Sequence, residues 1–323
     1  MKVLVTGGAG FMGSWSVEHL VENQHDVICF DKLSYGGNYQ NVSHLESCSN
    51  FKFVKGDIKD AQLVSKLIEE NDIDTILNLA AESDVDRSFV EPLYFTENNV
   101  LGTQSLLEVV RNSTRKILFI QISTDEVYGE QDENACIDEN GKLNPTNPYS
   151  ATKAAIDLIL SVYKLSYKLP IIIVRSNNVY GPRQYPEKII PNFIVNLLKN
   201  QPLVIHGNGE NKRKYLYVKD FVRVIDLMLT RGKIGETYNI GTDFEISNLD
   251  LSKMLVDNFH NSQSEIIFGK DRLFNDSRYN IDFDKLKKLG WQPEIEFSQG
   301  LSETITWYKK FGLHWWTDIK DNK

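Results

Sequence analysis

The chain has 323 residues, 41% of them apolar and 25% charged, with a formal net charge of −8. That composition predicts a soluble globular protein of one or two domains. The acidic balance argues against a nucleic-acid partner, because no basic stripe is available to offset phosphate charge. Cys29, Cys48 and Cys136 form no Cys-x-x-Cys and no paired framework, which points to a reducing, cytoplasmic setting. No apolar run is long enough to span a bilayer, so no membrane association is expected. The chain opens on an apolar strand, leaving no room for a signal peptide.

In chain order, Lys2–Thr6 reads as a buried strand, followed by Gly7-Gly8-Ala9-Gly10-Phe11-Met12-Gly13 and a helix from about Ser14 to Asn23. Gly7, Gly10 and Gly13 are spaced G-x-x-G-x-x-G. The first permits a tight turn, the second close approach of backbone to a pyrophosphate, and the third packing of helix on strand. The helix N-terminus then faces the anion. A second strand, Asp26–Phe30, ends at Asp31, where an acid accepts hydrogen bonds from an adenosine ribose and repels a 2′-phosphate. NAD is therefore expected rather than NADP. The polar, glycine-bearing loop from Lys32 through Leu33 and Ser34 to Asn38 lies over the same site.

A third strand, Phe51–Ile58, carries Asp57, which either bonds an adenine amino group or caps the helix beginning near Ala61. A fourth runs from Ile73 to Leu79 and leads into Ala80-Ala81-Glu82-Ser83, small enough for a cofactor to lie against backbone. Asn98–Val110 reads as a long amphipathic helix. The alternation predicts an α/β fold with a doubly wound parallel (Rossmann) sheet.

The apolar run Ile117–Ile122 predicts a buried strand, which delivers Ser123-Thr124-Asp125-Glu126-Val127-Tyr128-Gly129 to its carboxyl end. A helix begins within Asn147–Ala155 and presents Tyr149 and Lys153 four residues apart, on one face. A lysine ammonium near a phenol favours the phenolate and lowers its pKa from about 10 toward neutrality. Two carboxyls in one desolvated place push each other's pKa values apart. Holding one neutral at pH 7 takes roughly 4 kcal/mol, within reach of burial plus a like charge.

The glycine loop with Tyr-x-x-x-Lys resembles the extended short-chain dehydrogenase/reductase family. Within it, Ser123–Gly129 looks like the active-site strand end of nucleotide-sugar 4,6-dehydratases, and the likeness runs through nearly the whole chain. The resemblance implies catalytic roles for Thr124, Asp125, Glu126, Tyr149 and Lys153, and cofactor contacts at Gly7, Gly10, Phe11, Met12, Gly13, Asp31, Lys32, Leu33, Ser34, Asp57, Ile58, Leu79, Ala80, Ala81, Ser83, Asn98, Tyr149, Lys153 and Val179. In that chemistry NAD takes the hydride from the sugar C4, Glu126 removes the C5 proton and Asp125 protonates the departing C6 hydroxyl. Thr124 bonds the C4 oxygen beside Tyr149, and the hydride returns to C6. The implied class is a lyase with no net redox change, in a deoxysugar (rhamnose) pathway.

Beyond the strand Ile171–Val174 the alternation weakens. The chain is expected to divide into a NAD-binding domain, residues 1–175, and a smaller, mainly substrate-binding α/β domain, residues 176–323. A stretch at about 215–242 returns to the first sheet. Expected substrate contacts are Ser83, Thr124, Asn178, Glu187, Lys188, Ile189, Arg213, Asn248, Asp271, Arg272, Asn275 and Tyr279. A bidentate guanidinium suits a diphosphate, which favours Arg213. Asp271–Tyr279 departs from the bacterial thymidine-diphosphate pattern and is similar to the dehydratase domain of plant UDP-rhamnose synthases. UDP-glucose is thus expected ahead of dTDP-glucose. Asp84 also departs, standing where bacterial members carry His. A strand over Tyr215–Val218, helices over Lys285–Leu289 and Ser298–Lys310, and an aromatic tail, His314–Asp318, complete the chain. His206 and His314 have no metal-ligand spacing, so no metal is expected.

Two other readings are a 4-epimerase of the same fold, which leaves Asp125–Glu126 unexplained, and a non-catalytic NAD-binding scaffold, which has no use for Tyr149. The resemblance also implies a homodimer through the helices at Asn98–Val110 and Tyr149–Tyr167.

Overall fold

The computed structural model describes residues 1–132, 135–259 and 263–316. Twelve strands run β1 Lys2–Thr6, β2 Asp26–Asp31, β3 Phe51–Lys55, β4 Thr75–Asn78, β5 Leu118–Thr124, β6 Ile171–Ser176, β7 Asn178–Tyr180, β8 Leu203–His206, β9 Lys212–Tyr217, β10 Thr237–Ile240, β11 Glu245–Ser247 and β12 Ile266–Gly269. Helices are α1 Phe11–Glu22, α2 Ala61–Glu70, α3 Val85–Val90, α4 Pro92–Phe95, α5 Gly102–Asn112, α6 Pro148–Tyr167, α7 Ile189–Leu198, α8 Val218–Arg231, α9 Asn248–Asp257, α10 Asp284–Lys288 and α11 Phe297–Trp307.

The central sheet is parallel throughout, in the order β10-β6-β5-β4-β1-β2-β3. Its strands are apolar on both sides because both faces are covered. Val3, Val5, Cys29, Leu77 and Ile120 belong to one core, and Leu4, Ile28, Phe30, Ile76 and Phe119 to the other. Alternate residues along a strand point to opposite faces, so one uninterrupted apolar run feeds two cores.

From β1 the chain winds out through β2 and β3, then returns to place β4 on the other side of β1. That reversal opens a crevice at the carboxyl ends of β1 and β4, where open α/β sheets bind ligands. Strand β10 extends the central sheet beside β6, and α8 packs on α1. Strand β9 instead lies between β11 and β7 in a separate three-stranded sheet. The remaining pair, β8 and β12, is parallel.

One helix begins differently from the sequence expectation. The predicted helix over Asn98–Val110 begins as a π-helical turn, Thr96–Leu101, before α5. That turn buries both Asn98 and Asn99, a common use of a π-bulge. Asn99 Nδ2 donates to the Glu82 carbonyl and to Thr152 Oγ1 of α6, both at 2.9 Å. The tail expectation falls partly on Thr317 and Asp318, which lie outside the described residues. Trp316 is buried and meets Tyr185 edge to face at 5.0 Å.

Candidate active site

The turn after β1 is built from glycine because nothing else fits. Gly7 has φ +66°, and a Cβ on Gly13 would stand 2.0 Å from the Gly7 carbonyl oxygen. Backbone thus closes on backbone and leaves a cradle with no side chain in it. The Asp31 carboxylate, at the end of β2, accepts from Ala9 N at 3.0 Å and Leu33 N at 2.7 Å. These bonds tie the cradle to the loop that follows β2. Burial pushes the Asp31 carboxyl up, while the Leu33 and Ala9 amides pull it back.

The cradle opens into a cleft of about 1680 Å³, counting space open to solvent. The Gly7–Gly13 turn, Asp31, Asp57, Ala80, Ser83, Thr124, Glu126, Tyr149, Lys153, Asn178, Glu187 and Lys188 all line it. So do Phe11, Met12, Lys32, Ser34, Ile58, Leu79, Ala81, Asn98, Val179 and Ile189. Asp57 does not cap α2: that role falls to Asp60, whose carboxylate accepts from Leu63 N at 3.0 Å.

Strand β5 and α6 bring the acid pair to the Tyr–Lys pair. Thr124 ends β5, and Asp125–Tyr128 forms one short 3₁₀ turn beyond it, with Thr124 accepting from Glu126 N. Helix α6 starts with an Asn147/Ser150 capping box and Pro148 in its first turn, a strong local start signal. The same Asn147 donates from Nδ2 to Glu126 Oε2 at 3.1 Å. One residue therefore caps the helix and orients a carboxylate.

Asp125 is held by two residues that line the cleft, Asn177 and Thr124. Its Oδ2 accepts from Asn177 Nδ2 at 2.7 Å, and its Oδ1 from Thr124 Oγ1 at 3.2 Å. Only 2% exposed, its carboxyl is pushed up to about 7 by burial and then by Glu126, against the Asn177 and Thr124 bonds. Two adjacent carboxyls thus sit in unlike environments, the arrangement that gives an acid and a base from one residue class.

The Tyr149–Lys153 pair departs from the expectation of an acidified phenol. Burial raises the phenol's pKa, and Glu126 and Asp125 raise it further, outweighing the Thr124 bond. Lys153 does not offset this. Its Nζ donates to the Ile122 carbonyl at 2.6 Å, and burial lowers its own pKa to about 8.

Other expected contacts are placed apart from the cleft lining. Asp271 Oδ1 accepts from Asn275 Nδ2, and Arg272 pairs with Asp86 at 2.7 Å. Arg213 lies over the Tyr279 ring at 4.7 Å and donates to the Asp276 carbonyl at 2.9 Å. Asn248 begins α9, beyond the Ser247 cap. Leu33, with φ +57°, serves through its backbone amide. Asp84 caps α3 by accepting from Arg87 N at 3.1 Å.

Sequence reasoning missed Glu82, Tyr35, Asn177 and Tyr185 in the cleft. Glu82 is 1% exposed and pairs with Lys32 at 3.2 Å and Arg87 at 3.6 Å. A lone acid after a strand carries no signal until its partners are known. Lys188 Nζ reaches the Ser83 carbonyl at 2.6 Å, joining the two sides of the cleft. Among the described residues no group of three or more His, Cys, Asp or Glu side chains converges as for a metal, and no helix is long and apolar enough to cross a membrane.

The family model for GDP-mannose 4,6 dehydratase matches residues 4–304. The chain belongs to this family of extended short-chain dehydrogenases/reductases. A dTDP-D-glucose 4,6-dehydratase of Dictyostelium discoideum is 42% identical, the match covering 97% of this chain and 83% of that one. The trifunctional UDP-glucose 4,6-dehydratase/UDP-4-keto-6-deoxy-D-glucose 3,5-epimerase/UDP-4-keto-L-rhamnose-reductase of Arabidopsis thaliana is 44% identical over 98% of this chain. The chain spans 48% of that protein. The crystal structure of a dTDP-glucose 4,6-dehydratase from Streptomyces venezuelae, with NAD bound, superposes with a TM-score of 0.94. It is 39% identical, and the match covers 99% of this chain and 100% of that chain.

Proposed function

We propose that the protein is a lyase that dehydrates a nucleotide-linked glucose to the 4-keto-6-deoxy sugar, with UDP-glucose as substrate and NAD as resident cofactor. The observation that carries this reading is the Asp125–Glu126 pair, set between Asn177 and Asn147 and beside Tyr149. A 4-epimerase has no work for two such carboxyls.

The residues present fit NAD. The glycine turn leaves backbone bare for a pyrophosphate, and Asp31 stands at the strand end suited to a ribose. Gly7, Gly10, Gly13, Asp31, Asn98, Tyr149 and Lys153 would hold it. When bound, NAD supplies a hydride acceptor at C4 and a hydride donor at C6, and its positive ring favours the Tyr149 phenolate.

The chain's own residues do the rest. Tyr149 takes the C4 hydroxyl proton, with Thr124 bonding the same oxygen. Glu126, held by Asn147, removes the proton on C5 once C4 is a ketone and gives it back to C5 when the hydride is returned to C6. Asp125, kept protonated by burial, gives its proton to the C6 hydroxyl as it leaves as water. Glu187 and Lys188 lie on the far wall of the cleft, where the sugar nucleotide would lie. Burial pushes the Glu187 carboxyl up to about 7 against Lys188.

UDP-glucose is preferred because Asp271–Tyr279 resembles the plant UDP-sugar enzymes, and the Arabidopsis relative supports it. The dTDP-glucose relatives are the competing choice. We place the enzyme in the cytoplasm on its three free cysteines. We also read residues 1–175 as the cofactor domain and 176–323 as mainly the substrate domain, with β10 returned to the first sheet.

The test is incubation of the protein with UDP-glucose and dTDP-glucose separately, without added NAD. A product lighter by one water, with a C4 ketone, is expected from UDP-glucose at the higher rate. The galactose isomer, or no turnover of either, would overturn the reading.

A further inference from the structure

Behind the candidate site lies a buried polar chain that the proposed chemistry does not use. Asp157 follows Lys153 by one helical turn of α6, on the face already occupied by Tyr149. Arg175 of β6 donates from Nε to Asp157 Oδ2 at 2.9 Å, and from its NH1 nitrogen to the Tyr128 hydroxyl at 2.7 Å. Tyr128 closes the 3₁₀ turn that carries Asp125 and Glu126. Its hydroxyl donates in turn to Asn239 Oδ1 of β10 at 2.8 Å, and the Arg175 guanidinium lies 4.9 Å from its ring. All four side chains are at most 6% exposed. Arg175 is also the register partner of Ser123, one residue before Thr124.

A buried ion pair is costly and is weak evidence for stability. Its route is informative: it joins the helix bearing Tyr149 and Lys153 to the turn bearing the two carboxyls. We infer that Asp157, Arg175 and Tyr128 are positioning residues that hold the acid-bearing turn in register with the Tyr–Lys helix. The Tyr128 hydroxyl governs the elimination step, and Asp157 the environment of Lys153. Asp157 holds the Lys153 ammonium up against the downward pull of burial. The inference rests on the dehydratase reading and says which residues aim its acid and base.

Tyr128→Phe keeps the ring and removes one hydroxyl, so it separates aim from packing. Two probes divide the reaction. UDP-glucose requires oxidation and elimination, whereas UDP-6-deoxyglucose has no C6 hydroxyl to lose and reports hydride transfer alone. Tyr128→Phe is expected to lower kcat on UDP-glucose about tenfold or more, as a small misplacement of a reacting group does. KM and the rate of cofactor reduction by the 6-deoxy sugar stay at wild-type values. Asp157→Asn, a separate variant, is expected to slow cofactor reduction by the 6-deoxy sugar as well. Equal loss on both probes by Tyr128→Phe, or no loss on either, would overturn the assignment while the dehydratase reading stands. Wild-type protein that dehydrated neither UDP-glucose nor dTDP-glucose would overturn both.

Discussion

At the scale of single residues, the site is a study in how burial sorts like groups. Asp125 and Glu126 are neighbours in the chain, yet one is held by Asn177 and the other by Asn147 at the helix start. The Asp125 carboxyl, raised from its ordinary value to about 7, is protonated below that pH and ionised above it. An acid that must carry its proton therefore fails as pH rises through about 7, and kcat is expected to decline on that side. Asp125→Asn should remove most turnover, about 10²–10⁴-fold, as loss of a general acid does. Cofactor reduction by UDP-glucose should survive, read as its absorbance in a single turnover. Survival of full turnover in this variant would remove Asp125 from the mechanism. The same raised carboxyl costs stability in the opposite sense: the folded state holds a proton that the unfolded chain gives up near pH 4. Stability from this group thus falls as pH climbs from about 4 to about 7, measurable by denaturant titration.

At the scale of elements, glycine and aromatic contacts position the cleft. Gly13→Ala would drive a methyl to 2.0 Å from the Gly7 carbonyl, with backbone on every side. It is expected to lower stability by about 1–3 kcal/mol, as overpacking does, and to weaken NAD binding in direct titration. The tail contributes from outside. Trp315 Nε1 donates to Asn41 Oδ1 at 2.8 Å, and Asn38 Nδ2 donates to the Trp315 carbonyl at 2.7 Å. Trp316 packs on Tyr185, which meets Tyr35 at 5.2 Å, and both tyrosines line the cleft. Trp316→Ala should therefore raise KM for the sugar nucleotide more than it lowers kcat, because it loosens a wall rather than the acid pair. A fall in kcat with KM unchanged would refute that placement.

At the scale of the whole molecule, α6 carries an exposed apolar stripe. Leu158 is 60% exposed, Val162 54% and Leu165 64%, at the spacing of one helical face. The facing part of α5 is partly engaged within the chain: Tyr163 donates to Glu108, and Arg111 lies 5.0 Å from the Tyr167 ring. We propose a homodimer across α6, for which an apolar stripe of this kind would supply the contact surface. A Val162→Lys/Leu165→Glu double variant is expected to run as a monomer in light scattering, where wild type runs as a dimer. Wild-type protein that is monomeric at micromolar concentration would reject the proposal.

Local chemistry made much of this protein readable from its residues. Strand β1, the glycine turn and Asp31 follow from apolar runs, from steric necessity at Gly13 and from strand-end position, all short-range effects. Tyr149 and Lys153 share a helix face by spacing alone. What folding added was long-range partnership. Nothing in the order of residues announces that Asn147 turns back to Glu126, that Asn177 takes Asp125, or that Lys153 bonds the Ile122 carbonyl. Those choices depend on which strand ends lie side by side, and on how much water is left between them. The chain by itself determined which reactive groups are available; only the packed sheet, by excluding solvent and bringing distant strand ends together, decided which of them keep their protons.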